Sequence, residues 1–242
     1  MTAMRHRTIT GRIRYTSKQP ERLDTERGRE DFTFTRHAGG AVTIRAHCEI
    51  EEPAPTVMRD ILYAIDAEGR PLDCHVRLSL DDEFLGSGWI RFDHAAGVAE
   101  CESFGPGIGR VSQRMAIPQG LAGFGTHPIV GDGYLTRCMD ATRGPHRRQI
   151  TVLLPSPDHR GATPPLLARV DITLEYVGIA DRTVAAGTFA CRHFRFIDEA
   201  AMGGTQHPPY DMWVTADDDA ILVCGGVGGY MQTWYELVEL QR

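Results

Sequence analysis

At 242 residues, 42% of them hydrophobic and 24% charged, the chain has the size and balance of a soluble globular protein able to bury a full core. A formal charge of −6 argues against a nucleic-acid partner or an anionic membrane surface, since both call for a basic face. The longest apolar runs, such as residues 221–224, are far too short to span a bilayer, so no membrane span is expected.

The basic opening, residues 1–15, has no apolar central run and no small-residue cleavage site; no secretory signal is expected, and the expected location is the cytoplasm. From there the dominant signal is alternation with period two, the mark of half-buried antiparallel strands. Strands are expected at 9–15, 31–36, 42–50, 57–65, 72–80, 89–93, 98–104, 110–117, 149–154, 168–177, 188–197, 211–215, 220–223 and 230–240. In "GAVTIRAHCEI" the residues Val42, Ile44, Ala46, Cys48 and Ile50 fall on one face; in "LDCHVRLSL" so do Leu72, Cys74, Val76, Leu78 and Leu80. Turn signals such as "HAGG", "DAEGRP", "GPGIGR" and "GGVGG" separate the strands, and a short helical turn is expected near 198–203.

The proline-rich segment 153–167 cannot lie inside a sheet, because proline offers no amide hydrogen to a ladder. It divides the chain into halves 1–152 and 168–242, each containing a strand, an acidic turn and a second strand. The expectation is a single all-β domain over 1–242: a strongly curved antiparallel sheet or barrel, with two related meander halves in a lipocalin-like arrangement.

The glycine clusters lie between strands with no helix pattern after them, so they read as hairpin turns rather than phosphate cradles. The six cysteines are scattered without a C-x-x-C, as buried free thiols are. No H-x-H or H-E-x-x-H occurs, and neither a metal nor an organic cofactor is expected.

In "GFGTHPIVGDGYL" one histidine and one acid sit in a frame of glycines where neither helix nor strand is comfortable. Pro128 is expected to hold His127 extended, and Asp132, five residues on, to fix its tautomer, a pairing suited to moving protons near neutral pH. The alternative is a stiff corner in which Asp132 bonds its own backbone and His127 fills an edge. Arg137, a little further on, could partner an anion. The strand "GTFACRHFRF" mixes cationic and apolar residues on both faces, as a strand lining a partly polar cavity would, and makes His193 a further catalytic candidate. Arg59, Asp60, Tyr210 and Trp213 stand at corresponding places in the two halves, and His75 shares a polar strand face with Asp73; with Arg137 these form the candidate ligand-binding set.

The stretch 185–237, "AAGTFACRHFRF" through "YMQTWYEL", resembles uncharacterised bacterial β-rich proteins classed only as a domain of unknown function, with a G-T strand, a W-V strand and a final Y-E-L strand. More distantly the pattern is similar to curved-sheet carriers of hydrophobic ligands, the LolA/LolB-type lipoprotein carriers and tandem lipocalin-like proteins, some of the latter being enzymes. That resemblance implies a cavity for a hydrophobic molecule. Two readings follow from residues and resemblance together. One is a cofactor-independent lyase, isomerase or hydratase acting on a ring-containing hydrophobic molecule, with His127 as acid or base, Asp132 orienting it, and Arg59, Arg137 or His193 steadying negative charge. The other is a non-catalytic carrier or binding protein of the same architecture. A structural module without a pocket is a third, and an exposed edge strand would allow a homodimer.

Overall fold

The computed structural model describes residues 6–197 and 206–242; the helical turn expected near 198–203 lies outside the described residues. The first arm of the structure holds β1 (His6–Ser17), β2 (Glu26–His37), β3 (Val42–Ile50), β4 (Val57–Ile65), β5 (Pro71–Leu80), β6 (Glu83–Asp93), β7 (Val98–Gly105) and β8 (Gly109–Ala116). The second holds β9 (Leu121–Phe124), the helix α1 (Ile129–Leu135), β10 (His146–Leu154), β11 (Ala168–Val184), β12 (Gly187–Ile197), β13 (Tyr210–Thr215), β14 (Leu222–Val227) and β15 (Thr233–Gln241). All 15 strands form one sheet in the order β8-β7-β6-β5-β4-β3-β2-β1-β15-β14-β13-β12-β11-β10-β9. Strands consecutive in the chain pair antiparallel, apart from the parallel β9–β10 pair and from β8 and β9, which do not pair, and the arms meet where β1 pairs with β15.

This order forces strong curvature. The two edge strands, β8 and β9, are consecutive in the chain and separated by only four residues, 117–120. Such a link spans no more than roughly 18 Å, so the sheet must wind round until its two edges come near each other without pairing. The result is the expected strongly curved, barrel-like sheet, left open along one seam.

Alternation decides what faces inward. Val42, Ile44, Ala46 and Cys48 of β3 are buried as the sequence pattern requires, and so are Val57, Arg59, Ile61, Tyr63 and Ile65 of β4. Leu72 departs from its expected face and is exposed: the register steps from Ala64↔Asp73 to Ile65↔Pro71, leaving Leu72 as the extra residue of a bulge. The "GPGIGR" stretch makes the β7–β8 hairpin, with Gly105 opposite Gly109.

Two segments of the second arm fill the interior. The first is α1 with the turns after it; Ile129, Val130, Tyr134 and Leu135 join the core beside Phe34 and Phe124. Its glycines, expected to prevent regular structure, permit the packing instead. A side-chain carbon at Gly131 would lie 2.3 Å from Thr126 Oγ1, and one at Gly133 would lie 3.1 Å from the Ala220 carbonyl oxygen and the Leu222 nitrogen. The second is the proline-rich segment, which joins the paired strands β10 and β11 and reaches across to the first arm. Leu167 exchanges two hydrogen bonds with Gln113 of β8, at 2.7 and 2.9 Å, and Cys101 Sγ of β7 donates to the Pro165 carbonyl at 3.7 Å. Among the described residues no helix is long and apolar enough to cross a membrane.

The close contact of this segment with β6 gives a stability test. A side-chain carbon at Gly88 would lie 2.8 Å from Pro165 Cβ and 3.1 Å from Ser103 Cβ. Gly88→Val is expected to lower stability by about 1–3 kcal/mol through overpacking. Gly39→Ala, where nothing lies within 4 Å, should leave it nearly unchanged. Urea unfolding of both variants checks the difference, and equal midpoints would contradict the packing described.

Candidate functional site

A row of polar side chains crosses the inner face of four adjacent strands. Glu30 of β2 stands opposite Cys48 of β3, and Cys48 opposite Arg59 of β4. From β1, Tyr15 donates its phenolic hydrogen to Glu30 Oε2 at 2.6 Å, with Cys48 Sγ 3.4 Å from the Tyr15 hydroxyl oxygen. Glu30 and Arg59 are 0% and 1% exposed, among the most deeply buried charged groups described. Each holds one interior segment by its backbone. Glu30 accepts from the amides of Ile129 at 2.8 Å and Val130 at 3.1 Å, giving α1 the cap that Pro128, which makes no side-chain cap, does not supply. Arg59 donates to the carbonyls of Arg160 at 2.8 Å and Gly161 at 2.6 Å, fixing the proline-rich segment.

Between these two segments and the sheet lies a cavity of about 180 Å³. Its walls are mainly apolar, among them Ile50, Ile129, Val152, Ile172 and Phe196, and one side carries Tyr15, Tyr235 and Tyr210. The three rings meet edge to face, with centroids 4.9 Å apart for Tyr15 and Tyr235 and 5.7 Å for Tyr235 and Tyr210. His159 lines the cavity as well, its ring centroid 6.1 Å from that of His207 and 5.9 Å from that of Tyr230.

Four buried polar atoms of the wall lack a partner among the described residues: His127 Nε2, the Tyr210 hydroxyl, Arg27 Nε and Arg160 Nε; the Asp132 carboxyl lines the same wall. The His127 imidazole and the Tyr210 phenol are neutral near pH 7, and Asp132 is pushed toward its neutral form. Burial, with the Arg59 cation adding to it, brings the His127 imidazole down to about 3, outweighing the backbone groups of Ser156 and His159 beside it. Burial raises Asp132 well above the carboxylate range, and Glu30 adds to the shift. Burial likewise raises the Tyr210 phenol, with Asp132 as the next contributor. The cavity therefore offers neutral hydrogen-bonding groups in a low-dielectric setting, where each unmatched polar group costs about 1–3 kcal/mol.

The residues singled out in the sequence divide sharply. His127, Asp132 and Tyr210 come together at the cavity. Arg59 is buried behind His127, near enough that a side-chain carbon on Gly161 would meet both, at 2.1 and 2.9 Å, but it clamps backbone carbonyls instead of lining the cavity. The others lie elsewhere. His193 and Trp213 are on the outer face, stacked on each other at 4.2 Å, with His193 Nε2 2.6 Å from Asp211 Oδ1 and Arg182 over the Trp213 ring. The reason is parity: Phe194 of β12, with Met212 and Val214 of β13, takes the core positions and turns its neighbours outward. Asp60 pairs with His47 at 2.7 Å on the outside of β3 and β4. His75 faces outward beside Trp89. Arg137 lies over the Tyr134 ring and donates to the Asp218 carbonyl at the surface. The pocket therefore receives His127 without Arg137 or His193.

Two local expectations are corrected too. His127 is not extended but has φ = +71°, which carries the chain from β9 into α1. Asp132 lies within α1 and makes no hydrogen bond to His127, so it does not set that tautomer. Glu30 was missed, although a signal was present: it falls in phase with Phe32 and Phe34, one residue ahead of the expected strand start. Among the described residues, no three His, Cys, Asp or Glu side chains gather as metal ligands do.

No family model matches the chain, and no curated protein matches it in sequence. Solved structures do. A β-barrel-like protein of domain of unknown function DUF1849 from Brucella abortus is similar over 97% of this chain and 97% of its own, at 13% identity and a TM-score of 0.60. A DUF1089 family protein from Pseudomonas aeruginosa is similar over 84% of this chain and 91% of its own, at 12% identity and a TM-score of 0.43. The first likeness is one of fold: the chain has the architecture of an uncharacterised bacterial β-rich domain of unknown function, as the resemblance over 185–237 implies.

The buried groups give a pH test. Burial raises Glu30 from near 4.5 to about 7, against the opposing pull of Tyr15 and the two amides. A carboxyl with a higher pKa folded than unfolded holds its proton more tightly in the native state, so the stability it contributes is present at low pH and lost as pH climbs from about 4.5 to about 7. His127 acts in the opposite sense, adding stability as pH rises from about 3 to 6.5. Glu30→Gln removes only the first effect. The stability advantage of wild type over this variant should shrink by more than about 1 kcal/mol across the upper window, as urea unfolding at about pH 5 and about pH 8 would measure. A constant difference would contradict the shift.

Proposed function

We propose that this protein binds a small hydrophobic molecule of about one ring inside its curved sheet, holding it through neutral hydrogen-bonding groups. The observation that carries this reading is the pair of unpartnered buried polar atoms, His127 Nε2 and the Tyr210 hydroxyl, which share with the Asp132 carboxyl the wall of a mainly apolar cavity of about 180 Å³. A purely structural core would leave such groups paired or absent. The size suits a single ring, because an engineered apolar cavity of roughly 150 Å³ accepts benzene. Between carrier and enzyme, the electrostatics favour binding without turnover. A histidine near 3 is a weak base at neutral pH, and with burial also pushing Asp132 toward its neutral form the two serve better as hydrogen-bond partners than as a proton-transfer pair.

Titration calorimetry with single-ring compounds (phenol, benzyl alcohol, benzamide and benzoate) tests this directly. At least one is expected to bind saturably. Tyr210→Phe should weaken that binding about five- to tenfold by removing one hydrogen bond, and Val170→Trp, which fills the cavity from β11, should abolish it. Binding that survives Val170→Trp unchanged, or no binding by any member of the series, would overturn the proposal.

A further inference from the structure

One end of the cavity is cationic in a way the rest of the protein is not. Arg27 and Arg160 both line it, and both have a buried Nε with no hydrogen-bond partner. Arg27 is 8% exposed, turned inward by the bulge that sets Tyr15 opposite Gly28 and Thr16 opposite Glu26. Its remaining donors go to neutral oxygens: the Met231 carbonyl at 3.2 Å, the Thr233 hydroxyl and the Glu52 carbonyl. Arg160 donates to the carbonyls of Pro53 at 2.6 Å and Pro55 at 2.7 Å. The two guanidinium groups thus converge on one turn, 52–55, and the Arg27 cation adds to the burial that lowers Arg160.

Neither forms an ion pair among the described residues, whereas surface arginines such as Arg12, Arg29 and Arg70 are paired with carboxylates. The acids that act on the buried pair are engaged elsewhere. Glu52 bridges to Arg22, Asp158 accepts from the amides of Arg160 and Ala162, and Asp81 accepts from the amide of Thr56. Two partly desolvated cations without a direct ion-pair partner are costly, and an anion between them would offset that cost. Guanidinium forks also match a carboxylate in shape, each presenting parallel N–H donors to its two oxygens.

We infer that the ligand is an anion: a small apolar monocarboxylate whose head lies between Arg27 and Arg160 and whose ring or chain fills the apolar cavity beside Tyr235. This rests on the binding function proposed above and adds the chemical class of the ligand. The cations and the neutral donors share one cavity wall, with the carboxylate held at the charged part.

Titration calorimetry of the full chain with benzoate and with its neutral isostere benzamide, at neutral pH, tests the inference. Benzoate is expected to bind at least tenfold more tightly. Arg27→Met and Arg160→Met should each reduce benzoate affinity tenfold or more while leaving benzamide affinity within twofold. Equal affinities of wild type for the two compounds would overturn the anion inference and leave the hydrophobic cavity standing; that comparison needs no variant, so a misfolded Arg27→Met does not spoil it. Loss of both ligands' affinity in equal measure in the well-folded variants would also overturn it. Saturable binding of neither compound would overturn the inference while phenol or benzyl alcohol still binds, and only failure of all four would take the binding function beneath it as well.

Discussion

The row Tyr15–Glu30–Cys48–Arg59 is the constraint on which the rest of the interior depends. A curved sheet of 15 strands makes a wide tube, and hydrophobic side chains alone give little reason for two irregular segments to enter it in one position. Non-directional burial can be satisfied in many ways. Hydrogen bonds that a carboxylate accepts from two amides, and that a guanidinium donates to two carbonyls, can be satisfied in few. The row therefore trades a desolvation cost for a unique placement of α1 and of the proline-rich segment. Helix α1 shows the need most clearly. Seven residues with two glycines are too short and too poor in propensity to persist alone, so their helicity comes from the Glu30 cap and from packing on β14.

The cavity is a consequence of this placement. Because the two segments are pinned by their backbones, their side chains are free to form a wall, and His127 and Tyr210 present unpaired polar atoms to a space that Asp132 also lines. Burial then suppresses charge on the wall: the histidine stays unprotonated and the acid is pushed toward its protonated form. Along that wall full charge stays with Arg27 and Arg160, which meet the 52–55 turn, since a guanidinium keeps its proton under such burial. An acidic protein thus has a basic, desolvated spot facing inward, where it does not alter the outer surface.

Much of the fold was legible in the sequence because a half-buried strand writes its burial into alternate residues. Val42 through Cys48 and the hairpins at "GPGIGR" follow from pattern alone. The site was legible in part. His127, Asp132 and Tyr210 were identified by residue type and glycine context, but His193 and Trp213 could not be oriented, because "CRHFRF" carries apolar and cationic residues on both faces and only packing against Met212 and Val214 chooses between them. Helix α1 was invisible for another reason: its cap comes from Glu30, 99 residues away, and no local pattern encodes that. Arg27 escaped notice because a bulge, not alternation, turns it inward.

The most direct measurement of the central claim is residue-resolved hydrogen exchange at the two amides that Glu30 is said to hold. If the carboxylate caps α1 inside the sheet, the amide hydrogens of Ile129 and Val130 exchange as slowly as those of Phe34 and Ile44 in the core strands, opening only with global unfolding. Exchange of Ile129 and Val130 as fast as the exposed turn 66–69, with the strands still protected, would show that the interior segments are not pinned and would contradict the account.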